Sequence, residues 1–162
     1  MKSEVTISPA LETDVQGIQK VAQTTWHDTY EGLIPRNIQD AFLARAYATE
    51  MLQKKITHTL MFVVRHKDQV VGFANAFIKD PERFELAAIY LLPAYQGQGV
   101  GAELFKALQT ELPADASIDV EVEKGNARAE QFYIAKGFEV VEVFNEDFFG
   151  CTLQTVRMVK KR

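Results

Sequence analysis

Hydrophobic positions recur at helical spacing early in this chain, at alternating spacing in its middle, and in both modes toward its end. Glu4 to Ser8 alternates as a short strand. Thr13-Asp14-Val15-Gln16 has the form of a capping box, and Ile18, Val21, Ala22 and Thr25 follow on one helical face. That helix is predicted to run to about Tyr30, where Gly32 and Pro35 break it. Asn37 to Lys55 predicts a second helical region, less regular and divisible into two pieces. From Leu60 the pattern alternates: Met61 to Arg65, a turn at Lys67-Asp68, and Val70 to Phe77 predict a hairpin. Asp80-Pro81 turns the chain into a long apolar strand, Phe84 to Leu92. Val100, Leu104, Phe105, Leu108 and Leu112 then share a helical face, and Ile118, Val120 and Val122 alternate as a strand. Asn126 is placed to cap a helix that ends at Lys136, with Gly137 as its left-handed terminator. Phe138 to Phe144 and Leu153 to Val159 are predicted as two final strands, with Asn145 to Gly150 as a loop between them.

This order predicts an α/β fold with an antiparallel meander early and a parallel βα section in the middle. No linker, repeat or low-complexity stretch interrupts it, so 1–162 is expected to form one domain. Composition agrees: 47% hydrophobic and 25% charged residues suit a globular protein. Cys151 is the single cysteine, which excludes an intramolecular disulfide and points to the cytoplasm. With His27, His58 and His66 scattered, no metal-ligand spacing exists, and no metal is expected. Met1 to Val5 lacks the apolar run of a leader, and no stretch approaches ~18 apolar residues. The net charge of -4 speaks against nucleic acid and mildly for a cationic partner.

Gln96-Gly97-Gln98-Gly99-Val100-Gly101-Ala102 lies between the long strand and an amphipathic helix. Glycines admit close approach of backbone N–H groups to an anion, and the helix start adds a favourable dipole, so a pyrophosphate is the natural ligand. A nucleotide P-loop fits poorly, because no Gly-Lys-Ser/Thr follows. A dinucleotide fingerprint fits the spacing of Gly97, Gly99 and Ala102, with Asp119 or Glu121 about 20 residues on. That fold continues with several more βα units, which this chain lacks. A glycine-rich turn without a ligand is the third reading. Few Lys or Arg residues neighbour the loop in sequence, so any phosphate would rest on backbone donors.

The segment Ile89 to Gly101 resembles the signature of the GNAT acetyltransferase superfamily, whose Gln/Arg-x-x-Gly-x-Gly/Ala core is met by Gln96, Gly99 and Gly101. Asn126-Ala127-Arg128-Ala129-Glu130-Gln131-Phe132-Tyr133, followed by Gly137-Phe138, is similar to the superfamily's second signature. The resemblance is strong from about Val70 to Phe144 and looser before residue 60. It implies a mixed sheet of about seven strands with helices on both faces, an acceptor-side segment (1–60), an acetyl-CoA-binding core (61–144) and a C-terminal loop and strand (145–162). It implies acetyl-CoA as cosubstrate, with the backbone of Ile89, Tyr90 and Leu91 pairing with the pantetheine arm. Backbone groups of Gln96, Gly97, Gln98, Gly99, Val100, Gly101 and Ala102 would hold the pyrophosphate, and the Asn126 side chain would cap its helix, reach the cofactor arm, or both.

Acetylating an amine needs a neutral nitrogen, a held oxyanion and a proton for the leaving sulfur. Alkylammonium groups titrate near ~10.4, so a base or a desolvating pocket is required at neutral pH. A backbone N–H near Leu91 can hold the oxyanion. Tyr133 occupies the superfamily's general-acid position. For the base, Asp119, Glu121 and Glu123 share one strand face. Glu121 matches a base of members acting on protein N-termini, Glu85 is a second candidate, and a water chain a third. Trp26, His27, Tyr30 and Glu31, with the loop Asn145 to Gly150, are expected around the acceptor, although Trp26 and Tyr30 lie one turn apart and could simply pack together. Aromatic and acidic groups suit an alkylammonium. The Trp26-x-x-x-Tyr30-x-Gly32-Leu33-Ile34-Pro35 stretch is similar to polyamine acetyltransferases. The expectation is therefore a small amine acceptor such as a polyamine, no nucleic acid, no membrane, and a homodimer as one assembly. Protein N-terminal or lysine acetylation, and a silent acyl-CoA-binding module, are the alternatives.

Overall fold

The computed structural model describes residues 4–161. Met1 to Ser3, part of the stretch read above for a leader, and Arg162 lie outside the described residues. Seven strands form one sheet in the order β1-β2-β3-β4-β5-β7-β6. They are β1 (Thr6–Pro9), β2 (Leu60–His66), β3 (Gln69–Asp80), β4 (Arg83–Leu91), β5 (Ser117–Glu123), β6 (Glu139–Phe148) and β7 (Cys151–Lys160). Among the described residues only β4 and β5 pair in parallel. Helices α4 (Val100–Thr110) and α5 (Ala127–Ala135) follow β4 and β5, and α1 (Val15–Tyr30), α2 (Arg36–Ala46) and α3 (Thr49–His58) precede β2.

Alternation along β2 divides the core. Phe62 and Val64 join Leu104, Phe105 and Leu108 of α4 on one face; Met61 and Val63 join Ile18, Val21 and Leu52 of α1 and α3 on the other. The fold is thus the α/β mixed sheet with helices on both faces that the resemblance implies. Helix α1 lies close to the sheet at Gly17, where a Cβ would come within 2.8 Å of the Val70 side chain. No helix among the described residues is long and apolar enough to cross a membrane.

Two local expectations are corrected, and the division of the second helical region is borne out. Thr13 does not cap α1; it sits inside a single 3-10 turn, Glu12–Asp14. The Asp14 carboxylate accepts the Leu11 N–H at 2.8 Å and both guanidinium nitrogens of Arg65, at 2.5 and 2.7 Å. A charge from β2, invisible to local pattern, thus holds the residue just before the helix. The region after Pro35 is two helices with separate starts. Asn145 to Gly150 is not a loop: β6 runs on to Phe148, and a two-residue turn at Phe149 (φ 52°) and Gly150 (φ 82°) joins it to β7. Both turn residues have positive φ, the hairpin geometry that keeps long twisted strands paired to their ends.

Candidate active site

The site begins where the sheet comes apart. β4 and β5 pair only from Arg83↔Ser117 to Leu86↔Val120. Beyond that, Ala88 to Leu91 stay with β3, and Glu121 to Glu123 stay with β7. The cause is a β-bulge: Ala76 pairs with Leu86 and Asn75 with Ala88, leaving Ala87 as an extra residue that bends β4 away. The β5-facing edge of Ala88–Leu91 therefore has no strand partner among the described residues. Free backbone groups on such an edge accept an extended ligand as an added strand. Ile89, Tyr90 and Leu91 lie on this edge.

The glycine loop stands at the end of β4. A short 3-10 turn, Pro93–Tyr95, leads into Gln96 to Gly99, and Gly99 is the left-handed residue before α4 (φ 81°). Gly97 is also left-handed (φ 75°), and a Cβ at either glycine would meet no atom within 4 Å. These glycines are required by backbone conformation, not by crowding. The first N–H groups of α4, from Val100, Gly101 and Ala102, have no partner inside the helix and sit at its positive end. The loop's two glutamines brace it. Gln96 Nε2 donates to the Leu91 carbonyl at 2.9 Å, and Gln98 Nε2 to the Ala94 carbonyl at 3.0 Å. Arg128 of α5 donates to Gln96 Oε1. A cation thus stands beside the loop, from a residue 32 positions later in the chain; a scan of sequence neighbours could not find it.

Tyr133 comes from α5 and is 6% exposed, wedged edge-on between Phe132 and Phe138 at 5.3 and 5.2 Å. Burial first, and then the neighbouring Tyr90, push its pKa far above the ordinary phenol value, so the hydroxyl stays protonated. Tyr30 from α1 and Tyr90 from β4 face it across the cleft, near enough for ionised hydroxyls to repel. Asn126 serves both sides. Its Oδ1 accepts the Ala129 N–H at 3.3 Å, capping α5, and its side chain lies near enough to Tyr30 to favour that phenol's charge.

Trp26 and Tyr30 do pack together, with ring centroids 4.4 Å apart. Phe42 of α2 stacks on Trp26 at 4.4 Å, and Phe148 at the β6–β7 hairpin tip reaches the same rings. Trp26 Nε1 is buried without a hydrogen-bond partner. It faces the Tyr90 hydroxyl, near enough to favour that oxygen's charge but outside hydrogen-bond geometry. Glu31 points elsewhere: it is exposed and paired with Arg36 at 2.7 Å. His27 is tied to Asp40 of α2 at 2.8 Å.

The carboxylates of β4 and β5 form a separate group. Asp119 is buried and held by Arg83 and Lys79, at 2.7 and 3.2 Å, which makes it a structural anchor. Glu121 pairs with Arg157 at 3.4 Å, and Glu85 with Lys79 at 3.4 Å. Desolvation raises the Glu85 pKa, Glu121 raises it further, and Lys79 opposes both. Desolvation and Glu146 likewise raise Glu123. The structure brings Glu85 and Glu121 to each other rather than to the tyrosines. Two concavities flank this site, one around Arg65 and His66 and one around Lys106 and Lys136 that takes in Ala102 at the start of α4.

Comparison with known proteins gives the class. Residues 21–162 match the acetyltransferase (GNAT) domain, and the chain belongs to this family. An uncharacterised N-acetyltransferase of Mycobacterium bovis is 34% identical over 103 residues, 62% of this chain; the match spans 65% of that relative's length. Spermidine N(1)-acetyltransferase of Thermoplasma acidophilum is 23% identical over 83% of this chain and 88% of its own. The PaiA N-acetyltransferase of Thermoplasma acidophilum, solved with coenzyme A, superposes with a TM-score of 0.81 over 98% of this chain and 99% of its own, at 22% identity. At that identity the likeness is one of fold.

Proposed function

We propose that the chain is a single-domain enzyme that moves an acetyl group from acetyl-CoA directly to a small cationic primary amine, a polyamine being the best candidate. The observation that carries this reading is the unpaired edge of β4, with a left-handed glycine loop beyond one end and three tyrosines across its depth. Acetyl-CoA supplies a thioester already activated toward amines. The residues present fit it: Ile89 to Leu91 offer free strand-edge groups, and Gln96 to Ala102 offer backbone donors with open space over Gly97 and Gly99. Arg128 adds a positive charge beside them.

In this reading the Leu91 region holds the carbonyl oxygen by a backbone N–H. Tyr133, kept protonated by burial, gives its proton to the departing sulfur. Glu121 or Glu85, or a water between them, takes the proton from the amine. Each is paired with a cation at 3.4 Å, Glu121 with Arg157 and Glu85 with Lys79, and burial raises the Glu85 pKa as a base requires. Trp26 and Tyr30 wall the acceptor end, and Glu31 acts only through the field at its entrance. The distant likeness to a spermidine acetyltransferase supports a polyamine acceptor. So does the hairpin tip, which closes Phe148 over Trp26 where a peptide would need an open groove. A protein acceptor is the second reading and a silent acyl-CoA-binding module the third. A panel of polyamines, monoamines, amino acids and peptides, followed by thiol release, tests all three. Turnover confined to peptides would overturn the small-amine reading, and binding of acetyl-CoA without turnover would favour the silent module.

A further inference from the structure

The two edges of the sheet are unlike. β1 is four residues long and ends on Pro9, so that edge is short and lacks one backbone donor. β6, at the other edge, runs ten residues without a Lys or a Pro. Its outer backbone groups have no strand partner among the described residues. Such an edge is a template for another strand unless something blunts it.

The side chains along β6 say what that strand would be. Val140 lies opposite Met158 and Val143 opposite Val156, so both valines face the α5 side of the sheet with those buried neighbours. Val141 is the extra residue of a β-bulge between them. All three are 46–55% exposed, and Ile134 of α5, on the same side of the sheet, is exposed too. Glu142 and Phe144 face the other side, both against Arg157. Charge is divided along the strand. Lys160 ends β7 and Lys161 follows it, beside the start of β6, whereas Glu146 and Asp147 lie toward its far end.

We propose that β6 pairs antiparallel with β6 of a second copy, joining two sheets across a two-fold axis that passes through the Val141 bulge. An axis normal to the sheet keeps the α5 sides of both copies on one face. Val140 then stands opposite Val143 of the second copy, twice over, and Glu139 opposite Phe144. The bulges of the two strands coincide at the axis, so the kink that would turn this edge from a regular strand meets its own match. Glu142 falls beside the axis, where Arg157 of its own chain holds it at 3.1 Å. A slide of one residue would set Glu142 against Val140 in one direction and against itself in the other, so the register is fixed. Antiparallel pairing also lays the basic end of each copy beside the acidic end of the other. The proposal does not depend on the acetyl-transfer reading.

Sedimentation equilibrium over a concentration series tests it. The seam is narrow, so the dimer should be weak, with a Kd on the order of 1–100 μM. Val143→Lys sets a cation opposite Val140 in both halves of the seam and should raise that Kd at least ~10-fold. Ile78→Lys, at an exposed apolar site on β3 outside the seam, should leave it unchanged. The register has its own test, which also serves if Val143→Lys folds poorly. In a Cys151→Ser background, Val140→Cys and Val143→Cys chains are mixed under mild oxidation. They should cross-link with each other and far less with themselves, because a disulfide needs Cα atoms within about 7 Å. A chain that stays monomeric to well above ~100 μM would overturn the proposal. So would a dimer that survives Val143→Lys, or cross-linking as fast in either cysteine variant alone as in the mixture.

Discussion

The glycine-loop end of the cleft and its aromatic end are built on different terms. At the first, one stretch of chain does most of the work: a bulge at Ala87, two left-handed glycines and the start of α4 all fall between residues 87 and 102. Binding there would be by main chain, with side chains such as Gln96 and Gln98 spent on bracing the loop. At the second, Trp26 and Tyr30 of α1, Phe42 of α2, Tyr90 of β4 and Phe148 of the hairpin tip converge from five separate positions. A ligand common to a family can be held by backbone within one motif. A ligand particular to one member is read by side chains from many places, and such a site leaves no compact signature.

The sharpest way to break this comparison is at Tyr133, which belongs to the motif half by sequence and faces the aromatic half in space. Tyr133→Phe keeps the ring between Phe132 and Phe138 and deletes the acid. Turnover should fall by ~10²–10⁴-fold while acetyl-CoA affinity stays near normal. Normal turnover with normal binding would return Tyr133 to a packing role.

Next in size is the loop. A side chain at Gly99 meets open space, so any loss must come from φ and not from collision. The left-handed conformation costs a β-branched residue about 1–2 kcal/mol or more, and Asn much less. Gly99→Val should weaken acetyl-CoA binding about 5–30-fold by calorimetry, with Gly99→Asn close to the unaltered protein. Equal losses in both variants would mean that bulk matters and that a ligand fills the space over the glycine. The aromatic half predicts a smaller, several-fold effect. Turnover of cationic amines at low concentration should decline as salt rises to about 0.1 M, because exposed carboxylates attract only within a Debye length near 10 Å. Neutral amines handled equally well at all salt levels would make those carboxylates bystanders.

Legibility in the sequence follows the same division. The order of elements, the loop and the α5 signature were readable because each is fixed by spacing within a dozen or so neighbours. The bulge was not: no charged residue lies between Leu86 and Leu92 to mark where alternation reverses. Arg128 beside Gln96 and Arg65 on Asp14 were hidden for another reason, since each pairs groups far apart in the chain. The hairpin tip was misread as a loop because Asn145, Glu146, Asp147 and Gly150 carry turn composition, while Phe148 is drawn into pairing by packing on Trp26 and Phe42.

The smallest predicted effect concerns Glu85, where stability and function can be separated. Its carboxylate is 22% exposed, and burial, then Glu121, raise its pKa against the pull of Lys79. A raised carboxyl holds its proton more tightly folded than unfolded, so ionising it opposes folding. That penalty is absent below the unfolded value of about 4.3, grows as pH rises through the folded pKa, and is complete at pH 7. Glu85→Gln should therefore stabilise the protein at pH 7, and the gain should vanish near pH 4. Lys79 is not orphaned by the change, because Asp119 still holds it at 3.2 Å. The gain should be below ~1 kcal/mol, a rise in Tm of no more than ~2–4 °C for a chain of this size. If Glu85 also takes the proton from the amine, the stabler variant should turn over more slowly, the exchange of stability for activity that strained functional groups show. Thermal melts at the two pH values, beside turnover at pH 7, separate the outcomes. A lower Tm at pH 7 would show the Lys79 pair to outweigh burial. A higher Tm with unchanged turnover would leave Glu85 an ordinary half-buried acid and pass the base to Glu121 or to water.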